Sequence, residues 1–139
     1  MVNLHVSYQG ELRCSATHGP SGKQLTTDAP VDNHGRGETF SPTDLVGTAL
    51  GSCLLTVMGI AARAKQIDLE GTHVSVVKEM TSQLPRRIAR LTTVVTFPAR
   101  VSAAIGDTDR RQLETIAENC PVRLSLSSGV EVPIDFNWE

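Results

Sequence analysis

The sequence predicts an α+β protein with a mostly antiparallel sheet. Three observations predict it. Apolar and polar residues alternate near both ends of the chain, as in strands with one apolar face. A long uncharged run in the middle opens with a helix-start signal. A later segment repeats apolar residues at helical spacing. The chain has 139 residues, 13 basic and 15 acidic, for a net charge of −2, which fits one domain over residues 1–139. Hydrophobic residues make up 40% and aromatics only 4%, so the core must be built from Val, Leu, Ile and Ala.

Val2, Leu4, Val6 and Tyr8 alternate with Asn3, His5 and Ser7, the pattern of a half-buried strand. Gln9-Gly10 turns the chain, and residues 11–17 read as the hairpin partner. A second turn at Gly19-Pro20-Ser21-Gly22 leads to a third short strand, residues 23–27. Residues 28–40 form a long loop rich in Gly, Asp and Asn, of a length that usually signals function or mobility. Ser41-Pro42-Thr43-Asp44 then starts a helix. Ser41 suits the N-cap, Pro42 the first helical position and Asp44 the acidic place of a capping box.

That helix should run to about Lys65. Residues 45–62 carry no charge and touch the length of a membrane span. Their Gly, Ser, Thr and Cys content points instead to the buried helix of a soluble protein. Gly47 and Gly51 leave a flat strip for close backbone approach. The middle is apolar on all sides and so calls for enclosure on all sides. One chain of this size can hardly supply that, so we expect burial by a second copy.

Residues 72–80 and 88–97 read as an antiparallel pair joined by a turn at Gln83-Leu84-Pro85. Asp107 or Thr108 can cap a second helix over residues 109–119, striped by Leu113, Ile116 and Ala117. Pro121 forces Cys120 out of helical geometry and starts a short helix through Leu126. Val130, Val132, Ile134, Phe136 and Trp138 alternate as a closing strand.

Several function classes are excluded or unsupported. The near-neutral balance, with only Arg86-Arg87 and Arg110-Arg111 as adjacent basic pairs, argues against nucleic acid as a partner. His5, His18, His34 and His73 are scattered without metal-ligand spacing, so no metal or other cofactor is expected. The N-terminus lacks a basic stretch followed by an apolar run, and three cysteines make no disulfide framework. The expected compartment is the cytoplasm.

The cysteines remain. Cys53 lies in the apolar helix and reads first as a small core residue. Cys120 has two readings: a packed side chain, or a thiolate favoured by free backbone N–H groups where the short helix begins. Cys14, between Arg13 and Ser15, carries no assigned role.

Three features resemble the OsmC/Ohr family of osmotically inducible and organic hydroperoxide resistance proteins. The first is Phe40-Ser41-Pro42-Thr43-Asp44-Leu45 followed by Ala49-Leu50-Gly51-Ser52-Cys53. The second is Asn119-Cys120-Pro121-Val122, and the third is the order of elements. The resemblance covers nearly the whole chain. It implies an intertwined homodimer with sheets wrapped around two central helices. It also implies a thiol peroxidase of oxidative-stress defence. The cysteine matching Cys53 would attack an organic hydroperoxide, and the one matching Cys120 would resolve the product as a disulfide. A dithiol, of lipoyl type, would reduce that disulfide.

The chemistry makes demands on the sequence. An ordinary thiol of pKa ~8.5 is only about 3% ionised at neutral pH. Lowering its pKa by ~2 units corresponds to about 2.7 kcal/mol of thiolate stabilisation. The helical neighbours of Cys53 are Ala49, Leu50, Thr56 and Val57, none of them cationic. Members resembling the Ohr branch use an arginine held by a glutamate at the helix start. Here that position is Thr43, and the nearest acid is Asp44. At about 100° per residue, Asp44 lies about 180° from Cys53 and Thr43 about 80°, so Asp44 suits a cap better than an arginine anchor. Arg36, in the long loop, is the first choice for the activating arginine; Arg13, Arg86 and Arg87 are alternatives. The leading expectation is a Cys53–Cys120 peroxidase of organic hydroperoxides. The missing glutamate keeps open a non-catalytic dimeric module that binds a small apolar or thiol-reactive ligand. A structural dimer with idle cysteines is the third reading.

Overall fold

The computed structural model describes residues 1–139, which form two compact units, Met1–Val46 and Gly47–Glu139. In the first, β1 (Leu4–Gly10), β2 (Arg13–His18) and β3 (Gln24–Asp28) make an antiparallel sheet in the order β1-β2-β3. The register pairs Tyr8 with Cys14 and Arg13 with Asp28. Gly10, Glu11 and Leu12 turn the hairpin with positive φ. The alternation foreseen in β1 is present, but the half-burial is not. Leu4, Val6 and Tyr8 are 70%, 60% and 66% exposed. Periodicity specifies which face is apolar; it does not supply the cover.

The loop after β3 is ordered by one buried acid. Asp28, 1% exposed, receives Nε and Nη2 of Arg13 at 2.7 and 2.8 Å and the backbone N–H of Glu38 at 3.1 Å. Arg13 also donates to Glu38 Oε2 at 2.8 Å. Its backbone partners close the same loop, with Asp28 N–H donating to Phe40 O and Ala29 N–H to Leu12 O. A Cβ on Gly35 would lie 1.7 Å from the Ala29 carbonyl oxygen, so only glycine fits there. Val31–Asn33 forms a 3₁₀ turn within the loop.

α1 (Pro42–Ala64) starts as foreseen. Ser41 Oγ accepts the Asp44 N–H at 3.1 Å, and Asp44 Oδ2 accepts the Ser41 N–H at 2.8 Å, a reciprocal capping box.

In the second unit, β4 (His73–Met80) and β5 (Ile88–Phe97) form an antiparallel pair, and β6 (Ile134–Trp138) lies parallel to β5. α1 rests on this sheet through its glycines. A Cβ on Gly51 would stand 3.3 Å from Val74 and 3.4 Å from Val76; one on Gly47 would meet Val76 and Leu91 at 3.6 and 3.7 Å. Leu50, Leu54 and Met58, fully buried, join Leu91, Val95 and Phe97 in the core. By length and composition α1 would pass for a membrane span. Within the chain it is buried along one face only, with Thr48, Ser52 and Thr56 exposed and Ile60 68% exposed. The all-round enclosure expected from composition is therefore not provided by one chain.

Three differences from the sequence reading concern the second half. α2 (Ala99–Ala104) was not foreseen, being too short to show a helical repeat. α3 (Asp107–Glu118) begins two residues ahead of the expected 109, with Gly106 at the N-cap position in place of Asp107 or Thr108. β6 begins at Ile134 and not at Val130, because Pro133 has no N–H for the ladder and Glu131 makes only an isolated bridge to Arg90. α4 (Pro121–Ser125) follows Cys120. Trp138 closes the unit. Its ring stacks on Phe97 with centroids 3.5 Å apart, and its Nε1–H donates to Glu114 of α3 at 2.8 Å. Arg110 of α3 covers the indole at 5.0 Å from its centroid.

Two outcomes follow from this packing. Gly51→Val should destabilise by about 1–3 kcal/mol through overpacking against Val74 and Val76, whereas Gly47→Ala should be neutral or stabilising by up to about 1 kcal/mol. Urea denaturation of both variants checks the contrast. The Arg13 guanidinium holds the Asp28 carboxyl below its ordinary value of 3.8. A carboxyl depressed on folding stabilises fully above that value and loses its contribution as pH falls through the lower folded one. Asp28→Asn should therefore flatten the acid limb of the stability profile at and below the ordinary carboxyl value of 3.8, with little change in slope nearer neutrality.

Candidate functional site: two thiols beside the long helix

Cys53 sits midway along α1, half-buried, with its backbone fixed by the helix. Beside it, Thr56 Oγ1–H donates to the Ser52 carbonyl at 2.8 Å. Cys120 is reached from the other direction, at the junction of α3 and α4. Asn119 ends α3, and Pro121 occupies the first position of α4, where its missing N–H is not needed. Cys120 is the N-cap residue and is 0% exposed. Its own N–H donates to Ala117 O at 3.0 Å, and its Sγ accepts the Arg123 backbone N–H at 3.4 Å.

The two thiols are brought close enough for Cys53 to act on the ionisation of Cys120. Both cysteines are free thiols. Burial pushes the Cys120 thiol above its ordinary value, and the neighbouring Cys53 thiol pushes it further. The backbone N–H groups of Arg123 and Val122 pull in the opposite direction without prevailing. Cys120 is thus held as the protonated partner. A half-buried thiol beside a sealed, proton-bearing one has the parts for oxidation at the first and closure by the second.

The other expected residues are placed as follows. Asp44 closes the capping box at the start of α1, the role that its direction on the helix favours. Arg36 lies between Gly35 and Gly37 in the ordered loop, with its guanidinium 4.0 Å from Glu11. Arg13 is clamped by Asp28 and Glu38. Arg87 donates to the carbonyls of Ile88 and Gly129. No group of three or more His, Cys, Asp or Glu side chains is arranged to hold a metal ion.

Two residues escaped the sequence reading. Asp28 is the buried counter-charge of Arg13, and only the β2–β3 register, which sets the two opposite each other, reveals it. Arg123 is the second. Its backbone N–H reaches Cys120, while its Nη1 donates to the Glu118 carbonyl at the end of α3, at 2.8 Å. Its Nε is sealed from solvent with no hydrogen-bond partner. A buried donor left in that state costs about 1–3 kcal/mol. Its signal was the third position after the Cys120 cap, where a backbone N–H faces the capping atom.

Comparison with known proteins places the fold and the family. A solved structure of a Psychrobacter arcticus protein, described for osmotic stress induction and detoxification response, is 40% identical with a TM-score of 0.89, covering 99% of this chain and 96% of that one. An organic hydroperoxide resistance protein OsmC of Legionella pneumophila shares the fold at 14% identity, with a TM-score of 0.75 over 99% and 96% of the two chains. The organic hydroperoxide resistance protein OhrB of Bacillus subtilis does so at 15% identity, with a TM-score of 0.69 over 99% and 98%. A search of curated proteins returns no match. The family model for OsmC-like proteins matches residues 35–135, and the chain belongs to that family.

Proposed function

We propose that this chain is a cysteine-based peroxidase of organic hydroperoxides, acting in oxidative-stress defence as one OsmC-like domain. The observation that carries the reading is a half-buried Cys53 thiol neighbouring a fully buried Cys120 thiol closely enough to raise its pKa. In the first step the Cys53 thiolate attacks the outer peroxide oxygen. The O–O bond breaks, the sulfur is oxidised to a sulfenic acid, and the alkoxide leaves and takes a proton to become the alcohol. In the second step Cys120 attacks the Cys53 sulfur. The S–O bond breaks, a disulfide forms, and the hydroxide departs as water with the Cys120 proton. A dithiol of lipoyl type then reduces the disulfide by exchange through a mixed disulfide. No metal or organic cofactor takes part.

Arg36 is our assignment for the group that supports the Cys53 thiolate. It stands on a loop fixed by Asp28 and Arg13 and is paired with Glu11 only at 4.0 Å. Asp44 belongs to this machinery through the start of α1: it holds the first turn of the helix that carries Cys53. The working form is a homodimer in the cytoplasm. Leu4, Val6 and Tyr8 on β1, in the first unit, and Ile60 on α1, in the second, are each exposed apolar side chains that a second copy would cover.

Cys53→Ser should eliminate consumption of cumene hydroperoxide; retained turnover would take the nucleophile's role from Cys53. Cys120→Ser should permit a single turnover and then accumulate Cys53 sulfinic acid in intact-mass spectra, and normal cycling would contradict the resolving role. Arg36→Met should slow the first step by about 10²-fold or more without changing the fold. Light scattering of the purified chain should give twice the monomer mass, and a monomer at micromolar concentration would remove the dimer from the proposal. A chain that binds small apolar ligands but leaves both thiols reduced under hydroperoxide would instead fit the non-catalytic module that Thr43, in the glutamate's place, keeps in view.

A further inference from the structure

Closing a disulfide requires the two sulfurs to approach to about 2.0 Å, well inside the reach of a thiol hydrogen bond. Cys53 cannot supply that movement easily, because it lies in mid-helix on a sheet packed against Gly51. The movement falls to the junction between α3 and α4, where Cys120 stands between two helix ends. A junction of this kind can swing in many directions, and few bring one sulfur in line with the other.

Arg123 ties the two sides of that junction together. Its backbone N–H holds Cys120 Sγ at 3.4 Å, and its Nη1 holds the Glu118 carbonyl at 2.8 Å. The guanidinium therefore bridges from α4 back to the last turn of α3, across Cys120. It does so while Nε stays buried and unpaired. An apolar side chain would remove that orphan donor along with the bond to the Glu118 carbonyl, so the gain and loss offset each other and fold stability gives little net preference for an arginine here. We propose that Arg123 is a positioning residue for the resolving step, a staple across the α3–α4 junction that keeps the Cys120 sulfur directed at the oxidised Cys53. It acts through Cys120 and not on the peroxide. The step it serves is Cys53–SOH plus Cys120–SH giving the disulfide and water, with no net change in electrons. The inference rests on the peroxidase reading for its biological use, but the stapling itself does not depend on a peroxide.

The test uses the full chain carrying Arg123→Met, which keeps the apolar stem, and Arg123→Lys, which restores a cationic donor. Under one equivalent of cumene hydroperoxide, Arg123→Met should form the Cys53 sulfenic acid at the wild-type rate. It should close the disulfide about tenfold more slowly or worse, a loss of the size expected for misaligned reacting atoms. Under excess peroxide its sulfinic fraction at Cys53 should rise, and Arg123→Lys should recover part of the closure rate. Its melting temperature should equal or exceed that of the wild type. A lowered melting temperature with both steps slowed together, or an unchanged closure rate, would overturn the proposal. Closure driven by the dithiol oxidant diamide separates the two claims. Slow closure of Arg123→Met with diamide, in a protein inert to hydroperoxide, would sink the peroxidase reading and leave the staple standing. Normal closure in a protein that consumes hydroperoxide would do the reverse.

Discussion

The close seating of α1 on the β4–β5 ribbon is the constraint on which the rest of the second unit depends. Two glycines face Val74, Val76 and Leu91 at ordinary to tight van der Waals distance. That approach buries Leu50, Leu54 and Met58 and fixes the position of Cys53 along the sheet. A helix held one side chain farther out would carry its thiol away with it, since a helical sulfur has no independent freedom beyond one rotamer choice. The position of the Cys53 sulfur is therefore tied to the bare backbone at Gly51, where even a methyl group would press on Val74 and Val76.

The second thiol is held by different physics. Cys120 lies where one helix has ended and the next has not yet formed its first hydrogen bonds, so backbone donors are available to its sulfur. Burial opposes ionisation more strongly than those donors favour it. The pair is asymmetric as a result: the sealed sulfur keeps its proton, and the half-buried one is the sulfur that solvent and solute can reach. Asymmetry of this kind distinguishes two chemically identical side chains by their environments.

Much of this was legible in the residues, and the exceptions have physical causes. The cap at Ser41-Pro42-Thr43-Asp44 and the bounds of β5 followed from local chemistry and periodicity, which act over a few residues. Cys53 and Cys120 stand in motifs that resemble a family, while their proximity depends on tertiary packing that no local pattern encodes. The two assignments that sequence reading could not make, Asp28 and Arg123, are both groups whose partners lie across a register or a helix junction. The exposed face of β1 has the same origin. Alternation marks an apolar side, and whether anything covers that side is a property of the assembly.

Trp138 is the chain's one tryptophan, and its ring is gripped from three sides by Phe97, Arg110 and Glu114. Two of those grips belong to α3, whose far end leads to Cys120. Indole emission shifts in colour and intensity with the polarity and charge around the ring. The molecule therefore carries an intrinsic optical gauge of how α3 is seated, readable without a label and free of overlapping signals.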